Sequence, residues 1–148
     1  MTSPPAPPLP QALLVAIDFS PSSRRALERA VSWAANGEVT ALHVVDTGFA
    51  ARVEGHGLGS TASVVAKLRA RAEEEFAWLV QEKGTEVVSP MIVEGVPFAE
   101  IVKIANDLEV DMIVMGAHRA TSSLEEFLFG STAEKVLRTS RCPVLCVP

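Results

Sequence analysis

Continuous apolar runs alternate along this chain with stretches in which apolar positions recur every three or four residues. Ala12-Leu13-Leu14-Val15-Ala16-Ile17 is a short apolar run that stops at Asp18, the pattern of a strand buried on both faces. Ser20-Pro21 follows as a helix start, with serine at the N-cap and proline at the first helical position. Leu27, Ala30, Val31 and Ala34 continue at helical spacing, and Asn36-Gly37 ends the helix. Val39 to Val45 predicts a second strand. Residues 46–62 hold Gly48, Gly55, Gly57 and Gly59 without a clear period, which predicts a mobile loop. A second helix is predicted from about Ser63 to Lys83, with Val65, Leu68, Ala72, Phe76 and Leu79 as its inner stripe and Gly84 as its stop. Glu86 to Val93 predicts the third strand, closed by Glu94-Gly95. Pro97 opens a third helix with Phe98, Ile101, Val102, Ala105 and Leu108 inward. Met112 to Met115 predicts the fourth strand, ending at Gly116. A polar loop then leads to Gly130-Ser131 and a last helix carrying Ala133, Val136 and Leu137, and Pro143 to Val147 predicts the fifth strand.

Five apolar strands separated by amphipathic helices imply an α/β fold: a three-layer, doubly wound, five-stranded parallel sheet with helices on both faces. Right-handed crossovers restrict the topology. In such a sheet a ligand sits beyond the carboxyl ends of the strands where their order reverses. For the order 3-2-1-4-5 that crevice lies between the first and fourth strands, so the loops beginning at Asp18 and Gly116 are the places to look for chemistry.

Composition narrows the picture. The 148 residues suit one domain, assigned to residues 12–148. Residues 1–11 form a Pro-rich tail (Pro4, Pro5, Pro7, Pro8, Pro10) expected to be extended and disordered. A formal net charge of −5 without a basic cluster argues against nucleic acid and anionic membrane as partners. No run approaches the roughly 18 apolar residues of a membrane span, and a cytoplasmic location is expected. Cys142 and Cys146 would lie about 13 Å apart if they share a strand, at about 3.3 Å per residue, too far to bridge. They read as small buried side chains in a reducing compartment.

The fourth-strand loop reads Gly116-Ala117-His118-Arg119, then ten residues, then Gly130-Ser131-Thr132. A glycine at the strand end allows close backbone approach to a ligand, or is a turn residue. Gly-Ser at a helix start offers N–H groups and partial positive charge to a phosphate. Ser131 and Glu134 also fit a capping box, a structural role that a phosphate contact does not exclude. His118 is a loop histidine within reach of a phosphate, His43 is expected to be buried and hydrogen-bonded, and His56 sits among glycines. The three have no metal-ligand spacing. Gly55-His56-Gly57-Leu58-Gly59 has the wrong spacing and place for a dinucleotide fingerprint, and reads as a flap. No Walker A, Gly-x-Ser-x-Gly or Cys-x-x-Cys occurs, and no acid–base pair indicates catalysis.

The chain resembles the universal stress protein family. The resemblance is carried by Leu14-Val15-Ala16-Ile17-Asp18-Phe19-Ser20, Ala41-Leu42-His43-Val44-Val45-Asp46, Glu94-Gly95 and Asp111-Met112-Ile113-Val114-Met115-Gly116. It extends through Gly130-Ser131-Thr132-Ala133-Glu134-Lys135-Val136 and Cys142-Pro143-Val144-Leu145-Cys146-Val147. It implies an adenine nucleotide α-hydrolase-like sheet of order 3-2-1-4-5 and a homodimer through the last strand, Pro143 to Val147. In the nucleotide-binding branch it implies ATP or AMP with Mg2+ or Mn2+. That branch carries Gly, two residues, Gly, nine residues, Gly-Ser or Gly-Thr. Here Gly116 and Gly130-Ser131 match, Arg119 replaces the middle glycine, and the spacer is one residue longer. The Arg119 side chain either fills the phosphate space or pairs with a phosphate. The nucleotide site implied is Ala16, Ile17, Asp18, Val44, Met115, Gly116, His118, Arg119, Gly130, Ser131, Thr132 and Ala133. The function implied is a dimeric, nucleotide-binding stress-response regulator. The alternatives are a dimer that has lost the nucleotide and a very slow ATPase.

Overall fold

The apolar runs form β1 (Ala12–Ala16), β2 (Glu38–Asp46), β3 (Val88–Gly95), β4 (Met112–Gly116) and β5 (Val144–Val147). In the computed structural model, which describes residues 2–6, 8–34, 36–83, 87–117 and 130–148, they pair in parallel in the order β3-β2-β1-β4-β5. This is the predicted order. β1 is the switch strand: Ala16 is in register with Leu42 of β2 on one side and Met115 of β4 on the other.

Strand alternation divides the core into two halves. Leu13 and Val15 of β1, with Ile17 beyond its end, face α1 (Pro21–Ala34) and α3 (Thr61–Lys83), where they meet Ala26, Leu27, Ala30, Phe76 and Leu79. Leu14 points the other way, with Leu42 and Ile113, towards α4 (Pro97–Asp107) and α5 (Ser131–Thr139), represented by Ile101, Ala105, Ala133 and Val136. The i, i+4, i+8 alanines Ala26, Ala30 and Ala34 are almost fully buried. Small side chains there let α1 lie close to the sheet. Leu13, Leu14, Leu27, Leu42 and Ile113 are fully buried, each worth about 1.5–3 kcal/mol relative to exposure.

Residues 46–62 depart from the predicted loop. Thr47–Gly55 is a helix, α2. Asp46 caps it, its Oδ1 accepting the Phe49 N–H at 3.0 Å, which satisfies one of the donors a helix start leaves open. The chain turns through Gly57 (φ 72°) and Gly59 (φ 133°), and α3 begins two residues earlier than predicted. The cysteines also differ from expectation. Cys146 is on β5 but Cys142 precedes the strand, and both are free and half-buried. β3 begins at Val88, while Gly84 and Glu86 lie outside the described residues.

Candidate functional site

The turn from β1 into α1 is set by side chains binding backbone. The Asp18 carboxylate accepts the Ser20 N–H at 2.9 Å, an Asx turn. Ser20 Oγ accepts the Ser23 N–H at 3.3 Å, so Ser20 caps α1 with Pro21 next, as predicted. Ser23 Oγ donates to the Ser20 carbonyl at 3.1 Å and accepts the Asp18 N–H at 3.4 Å. Between them Phe19 is left-handed, with φ 65°, a conformation that costs a bulky residue roughly 1–2 kcal/mol. Three contacts hold it. Arg24 Nε donates to the Phe19 carbonyl at 3.2 Å, and the Phe19 ring lies 4.8 Å from His43 and 5.2 Å from Phe76, edge-on to the latter. This strained residue beside Asp18 has no local sequence signal.

Gly116 has a structural cause that the sequence did not disclose. A Cβ at this position would lie 2.9 Å from the Ser23 nitrogen and 3.0 Å from the Ser22 carbonyl carbon. The end of β4 is therefore pressed against the start of α1, and only hydrogen fits between them.

His43 is half-buried where full burial was expected, and it is hydrogen-bonded as expected. Its Nδ1–H donates to the Ile17 carbonyl at 2.7 Å, which leaves Nε2 as an acceptor. Burial pushes its pKa below the usual imidazole value, opposed by the Ile17 bond and the Asp18 charge.

Above these strand ends lies a cleft of about 390 Å3. Of the predicted residues, Ala16, Ile17, Asp18, Val44, Met115, Gly116, Gly130, Thr132 and Ala133 line it together. Ser131 is the exposed first residue of α5, between two lining residues. His118 and Arg119 fall in residues 118–129, outside the described residues. The capping box is not formed. Gly130 is the N-cap of α5, without a side-chain cap bond, so Ser131 is one position too far into the helix. Glu134 instead accepts from Arg138 Nη2 at 2.7 Å. The first turn of α5 thus keeps backbone donors with no intrahelical acceptor.

The cleft also takes in residues missing from the prediction: Asp46, Phe49 and Arg52 from β2 and α2, and Leu68, Pro97 and Ile101 from α3 and α4. The glycines of 46–62 concealed α2. Its available signal was the cap pattern, Asp46 three residues before Phe49, with Val53 one turn further on. Arg52 is the cleft's cationic side chain among the described residues and makes no ion pair there. No cluster of three or more His, Cys, Asp or Glu that could hold a metal occurs among the described residues. None of the described helices is long and apolar enough to cross a membrane.

The universal stress protein family model matches residues 11–148. Universal stress protein MJ0577 of Methanocaldococcus jannaschii is 35% identical in an alignment that covers 91% of this chain and 93% of that protein. Its solved structure superimposes with a TM-score of 0.78 over 94% of this chain and 96% of the other, at 34% identity. Universal stress protein YxiE of Bacillus subtilis is 34% identical, covering 91% of this chain and 97% of its own. A universal stress protein in complex with cAMP covers 95% of this chain and 98% of its own at 23% identity, with a TM-score of 0.62. One from Archaeoglobus fulgidus in complex with dAMP has the same TM-score at 22% identity, over 95% and 99% of the two chains. Both share the fold. The chain belongs to the universal stress protein family.

Proposed function

We propose that the protein binds an adenine nucleotide, ATP or AMP, in the cleft over β1 and β4 and works as a cytoplasmic stress-response regulator. The observation that carries this reading is the meeting of Asp18, Gly116 and the start of α5 around one cavity at the switch point of the sheet. That is where open parallel sheets take ligands. The volume of about 390 Å3 lies within the roughly 300–1,000 Å3 of small-molecule sites. Thr132 and Ala133 present first-turn N–H groups and the positive end of the α5 dipole, which suit a phosphate. Ala16, Ile17 and Met115 supply apolar surface for ribose and base, and Val44 supplies backbone. The cAMP and dAMP complexes concern two other proteins, and the case for this chain rests on its own cleft.

A divalent ion, Mg2+ or Mn2+, fits only with help. Asp18 and Asp46 are the lining carboxylates among the described residues, and phosphate oxygens and water would complete the shell, as they commonly do for Mg2+. β5 is an edge strand with an apolar sequence, Val144–Val147, and an unpaired apolar edge favours pairing with a second copy. We therefore extend the proposal to a homodimer through β5. Sedimentation as a monomer at micromolar concentration would remove that part.

The test is native mass spectrometry of the purified protein, with thermal shift and calorimetric titration of ATP and AMP with and without Mg2+. Copurified adenylate or saturable binding is the expected result. A chain that carries no nucleotide and responds to none would leave a stress-response dimer without a ligand.

A further inference from the structure

We infer that α2 is the wall that reads the base, with Phe49 as its stacking platform and the Arg52 guanidinium, over that ring, as a second planar surface. The inference rests on the cleft being a nucleotide site and says which part of the ligand each end takes.

Strand order separates the two ends. α5 follows β4, and α2 follows β2 on the far side of β1. At about 4.8 Å per strand the two lie some 10 Å apart across the cleft. The α5 end has backbone donors and a positive dipole and suits phosphate. The α2 end presents the Phe49 ring to the cleft, whose apolar lining also includes Leu68, Pro97 and Ile101. A phosphate held at α5 therefore directs the base towards α2.

Phe49 is placed for that role. Its N–H is fixed by Asp46 at 3.0 Å, while 44% of the residue remains exposed although it lines the cleft. A large apolar ring left open inside a concavity has no packing reason to be there. The Arg52 guanidinium lies 5.9 Å from the ring centroid, one turn along the helix, and makes no ion pair among the described residues. A guanidinium plane is itself a surface on which bases stack. Ring and guanidinium both line the cleft, each is a planar surface on which a base stacks, and α2 then distinguishes ligands by their base.

The experiment compares AMP with ribose 5-phosphate, which has no base. Dissociation constants are measured by calorimetry for AMP and by competition for ribose 5-phosphate, on wild-type, Phe49→Ala and Arg52→Lys proteins. Removing one stacking partner weakens nucleotide binding roughly five- to a hundredfold. Phe49→Ala is expected to lose AMP affinity in that range, keep its affinity for ribose 5-phosphate, and keep its melting temperature. Arg52→Lys, which retains the charge and loses the plane, is expected to lose AMP affinity to a smaller degree with the same selectivity. Equal loss for both ligands, or an unchanged AMP constant in Phe49→Ala, overturns the inference while nucleotide binding stands. A wild-type chain that binds no adenylate removes both.

Discussion

Replacing Gly116 with alanine tests the corner on which the cleft is built. The added Cβ would meet the Ser22 hydroxyl, the Ser23 nitrogen at 2.9 Å and the Ser22 carbonyl carbon at 3.0 Å. Ordinary contact begins at 3.4 Å, so the start of α1 must retreat by about 0.5 Å. Two of the three atoms are backbone, and Ser22 and Ser23 are 3% and 2% exposed, so no side chain can simply swing aside. Overpacking of this kind costs about 1–3 kcal/mol. For a domain of this size that lowers Tm by about 2–12 °C. The displacement also reaches the site, because Ser23 Oγ accepts the Asp18 N–H. Urea unfolding and thermal melts of Gly116→Ala against wild type measure the cost, with nucleotide titration of the same two proteins alongside. A variant that melts with wild type yet loses the ligand refutes the packing argument, and would mean that the absent side chain serves ligand approach alone.

Three further outcomes follow from local geometry. His43 is held neutral in the fold by burial, so the unfolded chain binds more protons as pH falls through the ordinary value of 6.5, and stability declines there. Denaturant midpoints across that range are expected to fall more steeply for wild type than for His43→Gln; parallel slopes count against it. Asp111 Oδ2 accepts the Gln11 and Ala12 N–H groups at 2.8 Å each, and these bonds hold its carboxyl below 3.8. The stability advantage of wild type over Asp111→Ala is expected at neutral pH, closing as pH falls through the native value; a gap independent of pH contradicts the linkage. Glu109 ends α4 in the left-handed region at φ 51°, where a non-glycine residue loses about 1 kcal/mol. Glu109→Gly is expected to be neutral or stabilising by up to that amount, and a clear drop in Tm argues against strain at this position.

Much of the scaffold was legible because parallel strands are buried on both faces. Leu14, Val15 and Val114 sit in continuous apolar runs and have essentially no exposed surface. Helix signals were as plain where they were backbone chemistry: Ser20-Pro21 starts α1 and Pro97 starts α4. Signals that depend on the third dimension did not show. Phe19 is left-handed because Arg24 and the His43 and Phe76 rings hold it, and a phenylalanine carries no local mark of that. Gly116 reads from sequence as a turn residue or a ligand contact, and its neighbour proves to be a helix more than ninety residues earlier in the chain. Ser131 fits a capping box by spacing, but α5 begins at it and not after it, so one residue of boundary reverses its role.

The loss of α2 from the sequence reading has a physical cause that bears on how the site works. α2 buries one residue, Ala50, whereas α1 buries six. A helix that contributes so little to the core has no need of an apolar stripe, and its two glycines, Gly48 and Gly55, are tolerable there at about 1 kcal/mol each. The same economy frees its exposed face. Substitutions at Phe49 or Arg52 disturb few packed atoms, while any change at the β4–α1 corner propagates through Ser23 to Asp18. One rim of the cleft is therefore free to change its ligand without endangering the fold, and the other is bound to the fold's stability. A ligand preference that differs between members of the family should then track residues on α2 more closely than residues at the ends of β1 and β4.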